Sequence, residues 1–165
     1  MAVVNVKSPG LTNRDGVPAI LNNPAVNRAL LKNAKDYCAV GNGDSIASVY
    51  RCVSVPSHAR VSAVRLSNDA ITTCAGDIGV YRNTRDGAAS VSAGFFGTAV
   101  SLATAGYNTD VTNESTSYTL LKQTQPIWQA LGFAADPQTM FDICVTLTAA
   151  AASAGNLGLS VDFVD

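Results

Sequence analysis

The sequence predicts an all-β chain, an antiparallel β-sandwich with one short helix, preceded by an extended N-terminal arm. Three observations carry this. Ala, Val, Ser and Thr number 25, 18, 14 and 14 of the 165 residues, against four Lys and a single Glu, Glu114. Exposed helices lean on straight-chain residues such as Glu and Lys, whereas Val and Thr suit a pleated sheet. Only 14% of the residues are charged, where a soluble domain usually carries about 25%, so part of the surface is expected to meet something other than water. From Gly43 onward, short apolar runs recur at intervals of roughly 10 to 20 residues, broken by Gly, Asn, Asp and Pro, as in a sandwich or barrel.

The division expected from these patterns is an arm over residues 1–44 and a sandwich body over 45–165. The arm holds three of the six prolines and seven of the twelve asparagines. Within it, Asn23-Pro24 is a helix-opening pair, and Val26, Leu30, Ala34 and Tyr37 follow at helical spacing as a narrow apolar stripe. In the body, strands are expected over 45–55, 59–67, 77–82, 97–103 and 115–123, with Pro56-Ser57-His58 as the first turn. Pro126 and Gly132 bracket a short helix with Ile127, Trp128 and Leu131 on one side. The strongest signals come last. Phe141, Ile143, Val145 and Leu147 alternate with Asp142, Cys144, Thr146 and Thr148, and Leu157, Leu159, Val161 and Phe163 alternate with Gly158, Ser160 and Asp162. With Gly155-Asn156 as a turn, these two runs are expected to pair as an antiparallel hairpin.

Length fits one domain able to bury a core without metal or disulfide staples. A net charge of −1 with no basic cluster removes the electrostatic term that dominates nucleic-acid affinity, so no nucleic-acid partner is expected. Cys38, Cys52, Cys74 and Cys144 lie 14, 22 and 70 residues apart, without CxxC or metal-ligand spacing, and read as free thiols. The uncharged windows 87–109 and 143–161 are too rich in Gly, Ser and Thr to span a membrane. The first ten residues show no secretory signal, which leaves Asn113-Glu114-Ser115 a coincidental sequon.

The sequence offers no catalytic constellation. His58, the single histidine, sits in a turn beside Ser57, too close for a Ser-His relay. Gly41-Asn42-Gly43 lacks the third glycine of a phosphate loop. Asp110, Asn113 and Glu114 offer too few ligands for Ca²⁺, and serve as a glycosidase pair only if the loop aligns them. Phe95 and Phe96 read as core rings beside a bend, with a sugar or partner contact as the alternative. No catalytic residue, cofactor or metal site is therefore assigned.

The strings NRDGVPAILNNP, GNGDSIASVYRCVSVPSHARVSAVRLSNDAITT, AGDIGVYRN, GFFGTAVSLA and QPIWQALGFAADPQTMFDICVTLTAAAASAGNLGLSVDFV follow one another along the chain, and the pattern they make covers nearly all of it, from about Leu11 to Asp165. They resemble the small capsid decoration, or cement, proteins of tailed bacteriophages. The resemblance implies a jelly-roll sandwich on the outer surface of an icosahedral head, made in the host cytoplasm. Its implied partners are the phage major capsid protein and neighbouring copies of itself. Low charge agrees, because interface cores are depleted in Lys, Glu and Asp. Val6, Leu11, Ile20, Leu21, Val26, Leu30 and Leu31 are the expected partner-binding residues, being more apolar than a solvated tail needs, in a segment too rich in Asn, Pro and Gly to form its own core. The alternative is a receptor- or carbohydrate-binding module of a phage spike or fibre.

Overall fold

The computed structural model describes residues 7–22, 24 and 29–165. Among the described residues, eight strands form two four-stranded sheets. They are β1 (Lys32–Val40), β2 (Val49–Pro56), β3 (Arg60–Asn68), β4 (Ala75–Arg82), β5 (Ser90–Ser101), β6 (Gly106–Asp110), β7 (Met140–Ala149) and β8 (Gly155–Val164). The first sheet has the order β1-β8-β3-β6 and the second β2-β7-β4-β5. Every strand pairing is antiparallel, so the expected all-β antiparallel sandwich is what forms. The pairs β1·β8, β2·β7, β3·β6 and β4·β5 are nested, as if one long hairpin of four strands against four had been rolled up.

Period-two burial places the core between the sheets. Phe141, Ile143, Val145 and Leu147 of β7 and Leu157, Leu159 and Val161 of β8 are buried, and with Val55, Val64, Leu66, Ile78, Val80 and Phe96 they form one apolar cluster. Phe95, Phe96 and Tyr118 add a three-ring contact with centroids 4.9–5.2 Å apart, and the Tyr118 hydroxyl donates to the Val61 carbonyl at 2.6 Å. Phe95 and Phe96 are thus core rings.

Several expectations are corrected. The runs at 139–148 and 156–164 do not form a hairpin: β7 lies between β2 and β4, and β8 between β1 and β3, in the opposite sheet. The Ala-rich link crosses from one sheet to the other, where its backbone bonds to other loops. Ala151 N–H donates to the Asp44 carbonyl, Gly43 N–H to Ala151 and Ala152 N–H to Thr72. Gly155 and Asn156 already belong to β8, opposite Val40 and Ala39. Ala34 and Tyr37, expected on a helix, sit in β1, where nine consecutive pairs with β8 outweigh a weak helical spacing. Val26 lies outside the described residues.

The body accordingly begins earlier than residue 45. The chain divides into one unit up to Leu30 and another from Leu31 to Asp165. The segment 115–123 is a loop ending in a four-residue helix, α2 (Leu120–Gln123), and α3 (Ile127–Ala130) follows, with Pro126 as its N-cap. Together with α1 (Pro9–Asp15), there are three short α-helices with described bounds instead of one, and Pro24, expected to open a helix, is helical as well. Ile127 N–H and Trp128 N–H donate to the Ala59 and Ser57 carbonyls, which fixes α3 against the β2–β3 turn. The second sheet is tightest at Gly79, where an added Cβ would lie 2.1 Å from the carbonyl oxygens of Ser92 and Ala93.

Polar groups fasten the margins of the body. Asp162 accepts from Asn33 Nδ2 at 2.6 Å and also pairs with Arg65. These donors, the Asn33 amide first, hold its carboxyl below the ordinary value near 3.8. Asp136 is lowered by the Ser57 hydroxyl, which donates at 2.5 Å, and Asp110 by the hydroxyl and N–H of Thr112.

Three outcomes follow from this packing. Val145→Asp or Leu159→Asp should abolish folding, because an unpartnered buried carboxylate costs several kcal/mol against a total stability of ~5 to 15 kcal/mol; Ser90→Asp, on the surface, should express as soluble protein. Gly79→Ala should lower stability by about 1–3 kcal/mol through overpacking, read as a fall in the denaturant midpoint at unchanged slope, whereas Ser62→Ala should be neutral. Because the folded pKa values of Asp110, Asp136 and Asp162 are depressed, their stabilisation is full above the unfolded value and lost as pH falls through the folded values. Tm should therefore be level down to pH of about 5 and drop below about 4, with a shallower drop in Asp136→Asn.

Candidate partner-binding surface

Local bonds shape the N-terminal unit. Ser8 caps α1, its Oγ accepting from Leu11 N–H and its carbonyl from Thr12. Lys7 pairs with Asp15 at 2.9 Å, Ile20 N–H donates to the Asn13 carbonyl, and Asn13 Nδ2 donates to Asn22 Oδ1. Polar contacts thus order the backbone while the apolar side chains stay outside. Leu11, Ile20, Leu21 and Leu30 are exposed, Leu21 at 98%, and so is Val17 at 99%, a residue the sequence reading passed over. In the second unit Leu31 is also exposed. Five of the seven expected partner-binding residues therefore present open apolar surface; Val6 and Val26 lie outside the described residues. Single exposed apolar side chains are ordinary on a soluble protein, whereas this many within twenty-one residues are not.

A second feature lies on the outward face of the first sheet. Tyr37 of β1 and Tyr107 of β6 are both exposed and flank a groove of about 290 Å³, whose lining includes Asp36, Ser67, Asp69 and Asn156. Gly158 forms part of its floor, at a point where a Cβ would come within 2.9 Å of the Asp36 carbonyl. Asp69 is oriented by Asn156, which donates to it through both its backbone N–H and its side-chain amide. Tyr37 is hidden in the sequence by its place in an apparent helical stripe.

The remaining candidates are built into the scaffold. The Ser57 hydroxyl donates to Asp136 and the serine is fully buried, so it makes no relay with the exposed His58. Asp110 accepts from Thr112, and the Asn113 amide donates to Tyr118 and accepts from Gln123. Among the described residues, no group of three or more His, Cys, Asp or Glu is arranged to hold a metal ion. No described helix is long and apolar enough to cross a membrane. The loop Asn83–Asp86 is a single 3-10 turn, capped by Asn83 and closed by an Arg82–Asp86 ion pair of 2.7 Å.

No protein-family model matches the sequence, and no curated protein does. Among solved structures, a chain of the cyanophage Pam1 capsid asymmetric unit is similar, with a TM-score of 0.56 over 91% of this chain and 96% of that one, at 16% identity. The whole of that chain, near enough, is matched by the whole of this one. The protein therefore has the fold of a chain found in a cyanophage capsid asymmetric unit.

Proposed function

We propose that the protein is a structural component of a phage virion, a jelly-roll decoration protein that binds the outer surface of the head and stabilises the lattice of the major capsid protein. The observation that carries this is the near end-to-end likeness to a chain of a phage capsid asymmetric unit. The nested strand pairing agrees, since eight strands rolled into two sheets is the jelly-roll plan recurrent in viral capsid proteins. The exposed apolar residues Leu11, Val17, Ile20, Leu21, Leu30 and Leu31 supply the anchors, which lie against the shell or against a neighbouring copy. No catalysis and no cofactor enters this role. A protein that binds only assembled shells opposes their disassembly by mass action, by about 2.7 kcal/mol per site at a hundredfold excess over Kd.

Carbohydrate recognition is the second reading, favoured by the groove between Tyr37 and Tyr107 with carboxylates and an amide at its margin. Rings flanked by hydrogen-bonding groups suit a sugar's alternating apolar and hydroxylated faces.

Counting copies on purified particles separates the two: hundreds per head mark a lattice component, a dozen or fewer a spike part. Deletion of residues 2–30, which stops short of β1, should leave a folded β body by circular dichroism while sharply reducing occupancy on heads, and undecorated heads should release genome at a lower temperature. Full occupancy by the truncated protein would move the attachment surface to the sandwich.

A further inference from the structure

β1 and β2 are edge strands of opposite sheets, and a thiol from each meets between them. In β1, the inward row runs through Ala34, Cys38 and Val40, the positions where its exposure falls. β2 contains a bulge: Arg51 stands opposite Cys144 and Val53 opposite Ile143, so Cys52 is the extra residue with no partner in β7. Strict alternation would turn either Cys52 or Val53 outward, yet both are buried, because a bulge re-aims the side chain it inserts. Cys52 is thereby directed to the inner side of the sheet, where its Sγ lies 3.8 Å from Cys38 Sγ. Both are free thiols.

We propose that Cys38 and Cys52 are a latent inter-sheet disulfide, closed by a low-molecular-weight disulfide when the folded protein leaves a reducing compartment. A disulfide bond is about 2.05 Å long, so the sulfurs have less than ~2 Å still to close, a distance side-chain rotation at two strand edges can cover. Cys38 is the more exposed of the two and is the entry thiol. As a thiolate it attacks one sulfur of the oxidant, forming a mixed disulfide and releasing one small thiolate. Cys52, losing its proton, then attacks the Cys38 sulfur, forms the Sγ–Sγ bond and releases the second small thiolate. Two electrons pass to the oxidant, which leaves as two thiols, and the protein loses two hydrogens. Burial pushes the Cys52 thiol up, which makes the second step the slower one. The product ties β1, the first strand of the body, to the facing sheet.

The test uses the full chain, incubated with oxidised glutathione well below its unfolding temperature, then denatured and alkylated without reductant. Two alkylated sites, Cys74 and Cys144, and a peptide linking Cys38 to Cys52 are expected, with a Tm several degrees higher that dithiothreitol reverses. Cys144→Ser should behave as wild type. Cys52→Ser, or Cys52→Ala if the serine variant does not fold, should accumulate one glutathionyl group on Cys38 and gain no thermal stability. Four alkylated sites after exposure, a link through Cys144, or a wild-type adduct on Cys38 that never resolves would overturn the proposal.

Discussion

β7 and β8 each have a strand on both sides, and each turns a row of large apolar side chains inward. The rows belong to opposite sheets and are joined in one apolar cluster, so their burial is what sets the two sheets face to face. Everything else is hung from this contact. β2 and β4 flank β7, and β1 and β3 flank β8. The short Ala-rich link between them can be small and uncharged because its polar backbone is satisfied by the loops at residues 41–44 and 72. A central strand with apolar residues on one face has little freedom of register, since a slip by one residue would turn the whole row to solvent.

That logic explains what could be read from the sequence. Alternation names the face a residue occupies, and Phe141, Val145, Leu159 and Val161 were legible for that reason. It does not name the neighbouring strand, which is why β7 and β8 were expected as a hairpin. β6 was missed because its five residues, Gly106–Asp110, are half exposed to fully exposed; a short polar edge strand carries no apolar period to detect. β1 failed differently. Its inward residues are Ala34, Cys38 and Val40, two of them small, and the outward Tyr37 mimicked a helical spacing with Ala34. The exposed leucines of the N-terminal unit were legible as side chains without local partners, whereas the groove depends on Tyr37 and Tyr107, seventy residues apart, being brought to one sheet face by β8 and β3 between them.

The charged side chains fit the same plan. Arg51 spans three acceptors, the carbonyls of Arg82 and Ala88 and the carboxylate of Asp142, and lies over the Tyr81 ring at 5.4 Å. Arg65 pairs with Asp162 and Arg82 with Asp86. Several of the few charges are thus engaged with one another, and the ion pairs of Arg51 and Arg65 are half-buried at the margins of the sheets.

The nested pairing also has a consequence in time. Lys32 finds its partner in Phe163 and Val49 in Thr146, so β1 and β2 emerge from the ribosome well before the strands they pair with. Pairings of such sequence separation are slow to close, and until β8 emerges β1 exposes its backbone on both sides. Lys32, Lys35 and Asp36 lie on that strand, and charges on an unpaired edge discourage association with other nascent chains. The charge carried by β1 thus protects the chain during synthesis, a protection the finished sheet needs on one side only.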